Sequence, residues 1–93
     1  MSNATIEISS ETYEGRTSYF FTVTLTAKTS FLVALNGAGL TVYKNNQPAS
    51  YGRPFYTMAD ALSHYKNAKM LAALRAIPDY ISAGLTGPQA VRA

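Results

Sequence analysis

The 93-residue sequence predicts an α+β domain. The expected architecture is an antiparallel β-meander of four or five strands packed against one main helix, with a short C-terminal helix or tail. Three observations predict it. From Ile6 to Tyr51 the chain alternates apolar and polar residues with the period of a strand. After Thr57 the apolar residues recur at helical spacing as far as Ile77. Apolar residues make up 47% of the chain and charged residues only 14%, which suits a packed core and excludes a disordered polyelectrolyte.

The elements follow in order. Ile6 and Ile8 point one way in a first strand and Glu7 and Ser9 the other. Glu14-Gly15 reads as a turn. Ser18 to Ala27 alternates most clearly, with Tyr19, Phe21, Val23 and Leu25 on one face and Phe20, Thr22, Thr24 and Thr26 on the other. Phe31 to Leu35 is a third strand, and Asn36-Gly37 has the residues of a type I′ hairpin turn. Leu40 to Tyr43 returns as a fourth. Gln47 to Tyr51 is a fifth candidate, confined to a sheet edge by Pro48.

Thr57 with Asp60 three residues on resembles a capping box and starts the helix, and Pro78 is expected to end it after Ile77. Met58, Ala61, Leu62, Tyr65, Ala68 and Ala72 form one stripe, while Met70, Leu71, Leu74 and Ile77 lie nearly opposite. The helix therefore bends near Lys66–Lys69, or the C-terminal segment covers its second half. Pro78 to Gly84 could form a short second helix. All 93 residues form one domain, with residues 85–93 as a flexible tail.

Composition excludes several functions. With no cysteine there is no disulfide, thiol nucleophile or Cys-bound metal, and one histidine excludes a multi-His site within a single chain. No apolar run is long enough to span a bilayer and no signal-peptide pattern opens the chain, so a soluble, cytoplasmic protein is expected. Asp60 and His64, four apart on the helix, are the only acid–base candidate, and with no nucleophile on their face they read as an exposed helical ion pair. Gly37-Ala38-Gly39 lacks the helix of a dinucleotide fingerprint, and Gly84-Leu85-Thr86-Gly87 has too little chain after it for an RNA-clamping loop between two helices. The expectation is a protein that is not an enzyme and takes no cofactor, metal or small-molecule substrate.

Charge and tyrosine carry the functional signal. The net charge is +3, yet Glu7, Glu11 and Glu14 all fall near the N-terminus, and the eight Lys and Arg that follow face only Asp60 and Asp79. Lys66 and Lys69 project as a pair on the helix, Arg75 continues it, and Lys28, Lys44 and Arg53 fall in loops. Such cations attract phosphate or acidic protein, and tyrosines such as Tyr43 and Tyr56 stack on bases or anchor interfaces. The candidate contact residues are Lys28, Lys66, Lys69, Arg75, Tyr43 and Tyr56.

In size and layout the chain resembles the anti-CRISPR proteins that phages encode against type I-F surveillance complexes. The likeness lies in the meander from Ile6 to Tyr51, the Ala-rich helix from Met58 to Ile77 and the Lys66/Lys69 pair. It implies a non-enzymatic inhibitor in the cytoplasm of a bacterial host. Such a protein would dock on subunits of the RNA-guided complex, and on its guide-RNA backbone, and sterically block target DNA. The acidic first strand would meet basic DNA-binding residues in place of phosphate. Two alternatives stand beside it. One is a free-standing nucleic-acid-binding domain using the threonine-rich sheet face and loop cations. The other is a homo-oligomeric phage structural or accessory protein, pairing through the Pro48 edge or the second helix face.

Overall fold

The computed structural model describes residues 3–36, 39–45, 47–48, 51–84 and 86–92, with side chains for all of these except 3, 36 and 90–92. Strands β1 (Asn3–Tyr13), β2 (Arg16–Thr24), β3 (Ser30–Asn36), β4 (Gly39–Lys44) and β5 (Arg53–Phe55) are followed by helices α1 (Met58–His64) and α2 (Ala68–Ala83) and by strand β6 (Gly87–Arg92). The six strands form one antiparallel sheet in the order β5-β4-β3-β2-β1-β6. The two helices carry the chain from the β5 edge to the β6 edge across one face of the sheet.

The period-two pattern decides which face is covered. Ile6, Ile8, Phe21, Val23, Val33 and Val42 are buried beneath the helices, whereas their strand neighbours Glu7, Ser9, Thr22 and Thr24 are exposed on the other side. Glu14-Gly15 forms the β1–β2 turn as expected, with φ of 52° and 78°, the left-handed pair a two-residue hairpin loop needs. Asn36 pairs with Gly39, so it is a strand residue and the connection is residues 37–38. The expected turn at Asn36-Gly37 therefore falls on a position whose conformation lies outside the described residues. Gly39 has a φ of 149°, and a Cβ there would stand 2.5 Å from the Phe55 carbonyl oxygen, so only glycine lets β4 start against the β5–α1 turn.

Four expectations are corrected. The fifth strand is Arg53–Phe55; of the expected Gln47–Tyr51, the described residues Gln47, Pro48 and Tyr51 are not strand, and 49–50 lie outside the described residues. The Tyr51 amide donates to the Pro48 carbonyl, and the edge-strand proline is Pro54. The single helix is two, because Tyr65 takes an extended conformation (φ −85°, ψ 143°) and Asn67 starts a new helix by accepting from the Lys69 and Met70 amides. The rotation of the apolar stripe was the mark of this break. Pro78 does not end α2. It leaves the Leu74 carbonyl without its helical donor, but the apolar series Met70, Leu74, Ile77, Ile81 packs on the sheet across it, and the helix runs on to a left-handed Gly84 cap. The segment expected as a tail supplies β6, because the outer edge of β1 from Asn3 to Ile8 needs a hydrogen-bonding partner and α2 returns the chain to it.

Both N-caps were written in short polar residues. The Thr57 hydroxyl accepts from the Asp60 amide at 3.2 Å, and Asn67 Oδ1 from Lys69 and Met70 at 2.9 and 3.1 Å. Helix α2 contributes the deeper burial, with Met70, Ala73, Leu74 and Ile77 wholly enclosed, while α1 buries Ala61 and half-buries Met58 and Leu62. So the stripe around Leu62 and Tyr65 does reach the core, but the centre of the core belongs to the opposite stripe. No described helix is long and apolar enough to cross a membrane.

Candidate functional site

The antiparallel register brings distant residues to one end of the sheet. Strand β2 ends there, β3 begins there, and β4 ends there at Lys44, which pairs with Phe31. The break between α1 and α2 lies over the same end, since the Tyr65 ring packs edge-on against Phe31 with centroids 6.0 Å apart. All four lysines of the chain therefore converge: Lys28 in the β2–β3 turn, Lys44 closing β4, Lys66 in the interhelical break and Lys69 in the first turn of α2. Arg53, opposite Val42 in β5, flanks them.

The platform under these cations is tied down. Thr26 Oγ1 accepts from the Lys28 and Thr29 amides at 3.2 and 3.1 Å. Asn45 bridges the turn to β3, accepting from the Ser30 amide at 3.0 Å and donating to the Lys28 carbonyl at 2.9 Å. Lys69 Nζ donates to the Leu25 carbonyl at 3.0 Å, joining α2 to the end of β2. Lys69 thus holds the platform, and Lys28, Lys44 and Lys66 are exposed on it.

The carboxylates lie elsewhere. Glu7 faces Thr22, inside the sheet, and Glu11 and Glu14 lie progressively nearer the far hairpin. Asp60 is in the first turn of α1, whose last turn leads to the lysines, and Asp79 is ten residues beyond Lys69, about 15 Å along α2. That spacing exceeds the screening length of ~8 Å at physiological salt, so Asp79 does little to offset the charge of the lysine end.

Lys66 and Lys69 come from the interhelical break and from α2, not as the pair on one helix that the sequence predicts. Arg75, Tyr56 and Tyr43 are not gathered with them. Arg75 is exposed on the outside of α2, nearly two turns past Lys69. Tyr56 is 88% exposed and follows Phe55, which pairs with Leu40, four residues before Lys44 in β4. Tyr43 is half-buried on the uncovered sheet face beside Leu32. Lys44 and Arg53 join the site because of strand pairing, a signal that their loop-like sequence context concealed.

Asp60 and His64 are both exposed on α1, and the His64 ring packs against Phe55 and Tyr65 with centroids 5.6 and 4.8 Å away. Burial raises the Tyr65 phenol above its ordinary value of 10.0, and the nearby Arg53 guanidinium opposes that rise. Among the described residues no group of three or more His, Cys, Asp or Glu could hold a metal ion. Comparison with known protein families, curated proteins and solved structures finds no match to the chain.

Proposed function

We propose that this chain is a small, non-enzymatic binding protein that docks through its lysine end on a phosphate-bearing or acidic surface. The observation that carries the reading is the convergence of Lys28, Lys44, Lys66 and Lys69, from three separate stretches of the chain, on a hydrogen-bonded platform without a carboxylate among them. Like charges held together repel, and a partner of opposite sign relieves that repulsion.

The resemblance to type I-F anti-CRISPR proteins supplies the finer reading: a phage inhibitor in the bacterial cytoplasm. Its partner is an RNA-guided surveillance complex, touched on its protein subunits and guide-RNA backbone, so that target DNA is excluded. The test is target-DNA binding by that purified complex, with the protein added. Inhibition by the wild type, and its loss in K28E/K44E/K66E, is the expected result. These three residues are exposed, so the variant should keep its fold. Binding to naked RNA alone would move the protein to the free-standing nucleic-acid binders, and no inhibition by the wild type would remove the CRISPR reading.

A further inference from the structure

The face of the sheet turned away from the helices carries a second surface, distinct from the lysine end. Phe20 pairs with Ala34, and Leu32 with Tyr43, so these four half-buried residues form a contiguous apolar block over β2, β3 and β4. Along one flank runs β1, with Ser9 opposite Phe20 and the exposed carboxylates of Glu7 and Glu11 on either side of Ser9. Elsewhere the face is hydroxylic, with Thr5, Thr22, Thr24 and Thr41. Among the described residues no Lys or Arg stands on it between Glu7 and Glu11 or across to Tyr43. Arg16, at the hairpin tip opposite Tyr13, is the nearest cation by register.

The signs are decisive for what would bind here. Two carboxylates at the rim repel phosphate, so the face does not suit a nucleic acid despite its aromatics. A second copy of the same face would set Glu7 and Glu11 against like charge if the two-fold axis crossed the strands, and against the uncharged Thr41 and Tyr43 flank if it ran along them, so neither arrangement gives these carboxylates a cation. An apolar block with a one-sided acidic rim instead complements a polypeptide that presents apolar side chains with Lys or Arg along one flank.

The dimensions also fit. From β1 to β4 is three strand spacings, about 14 Å, and from Glu7 to Glu11 is four residues, also about 14 Å. A helix of about 10 Å diameter lies within that width, and the length matches roughly nine helical residues. We infer that the uncovered sheet face docks a basic amphipathic helix of a partner protein, its apolar stripe on Phe20, Leu32 and Tyr43 and its cations on Glu7 and Glu11. The inference does not depend on the lysine end, and its test leaves those lysines untouched.

The probe is a synthetic peptide of Leu and Lys in helical spacing, with a counterpart carrying Glu for Lys. Each is titrated into isotope-labelled protein and followed by NMR. The Lys peptide should shift the amides of Glu7–Glu11, Phe20–Thr22 and Leu32–Ala34, and E7Q/E11Q should weaken its binding about ten-fold or more. The Glu peptide should not bind. Glu7 and Glu11 are exposed, so the glutamine variant should melt with the wild type, which separates lost binding from lost fold. Absence of binding, equal affinity in E7Q/E11Q, or shifts confined to the helices or lysine end would overturn the inference. Concentration-dependent self-association that shifts the same amides would also overturn it, giving the face to a second copy.

Discussion

Phe20 and Phe21 are neighbours in β2, yet they belong to different parts of the molecule's chemistry. Phe21 is wholly buried, packed beneath the helices with Ile6, Val23 and Val33. Phe20 is half-exposed on the uncovered face between Ser9 and Ala34. One face of the sheet is consumed by folding, while the other, like the lysine end, is left uncovered by the helices. Stability and the proposed binding should therefore be separable by residue, even one peptide bond apart.

The contrast is broken most severely on the covered face. Phe21→Ala should cost about 3–5 kcal/mol, because the ring's neighbours cannot collapse into the space. Phe20→Ala should cost under about 1 kcal/mol, since a half-exposed ring loses little area relative to the unfolded chain. Urea unfolding of the two variants tests this, and comparable losses would show that the open face is part of the core. Gly39→Ala should follow at about 2–3 kcal/mol, from the positive φ and the approach to the Phe55 carbonyl.

Smaller effects sharpen the picture at the lysine end. Asn45→Ala should lose about 1–2 kcal/mol with its bonds to Ser30 and Lys28. Hydrogen exchange should then quicken in the β2–β3 turn while α2 stays protected. The smallest effect is one of pH. The folded pKa of Tyr65 is raised, so its contribution to stability is fully present below the unfolded value of 10.0 and is lost as pH rises through the folded one. Tyr65→Phe should match the wild type at neutral pH and lose less stability above pH 10.0, as thermal melts across that range would show.

Much of this was legible locally. The alternation from Ser18 to Ala27 fixed which side of β2 is buried, and Glu14-Gly15 and Thr57 marked a turn and a helix start. What was not legible depended on distant pairing. Gly87-Pro88 reads as loop chemistry, and it becomes strand only because β1 offers an unfilled edge. Pro78 reads as a stop, and packing of Ile77 and Ile81 on either side overrides it. The interhelical break is marked by the rotated stripe, and Asn67, a residue type suited to an N-cap, stands at it. The candidate site suffered most, because Lys44 and Arg53 are far from Lys28 and Lys66 in sequence and meet them only through the sheet register.

The central claim is that Lys28, Lys44 and Lys66 meet phosphate or acidic surface together. The direct measurement is the salt dependence of binding to the proposed partner, a guide-RNA-loaded surveillance complex, for the wild type and for K28Q, K44Q and K66Q singly and combined. If each lysine neutralises an RNA phosphate, each substitution should lower the slope of log affinity against log salt by about 0.7–0.9, and the triple variant by about the sum. An unchanged slope in the triple variant would contradict the account, because the convergence of the lysines would then serve no partner.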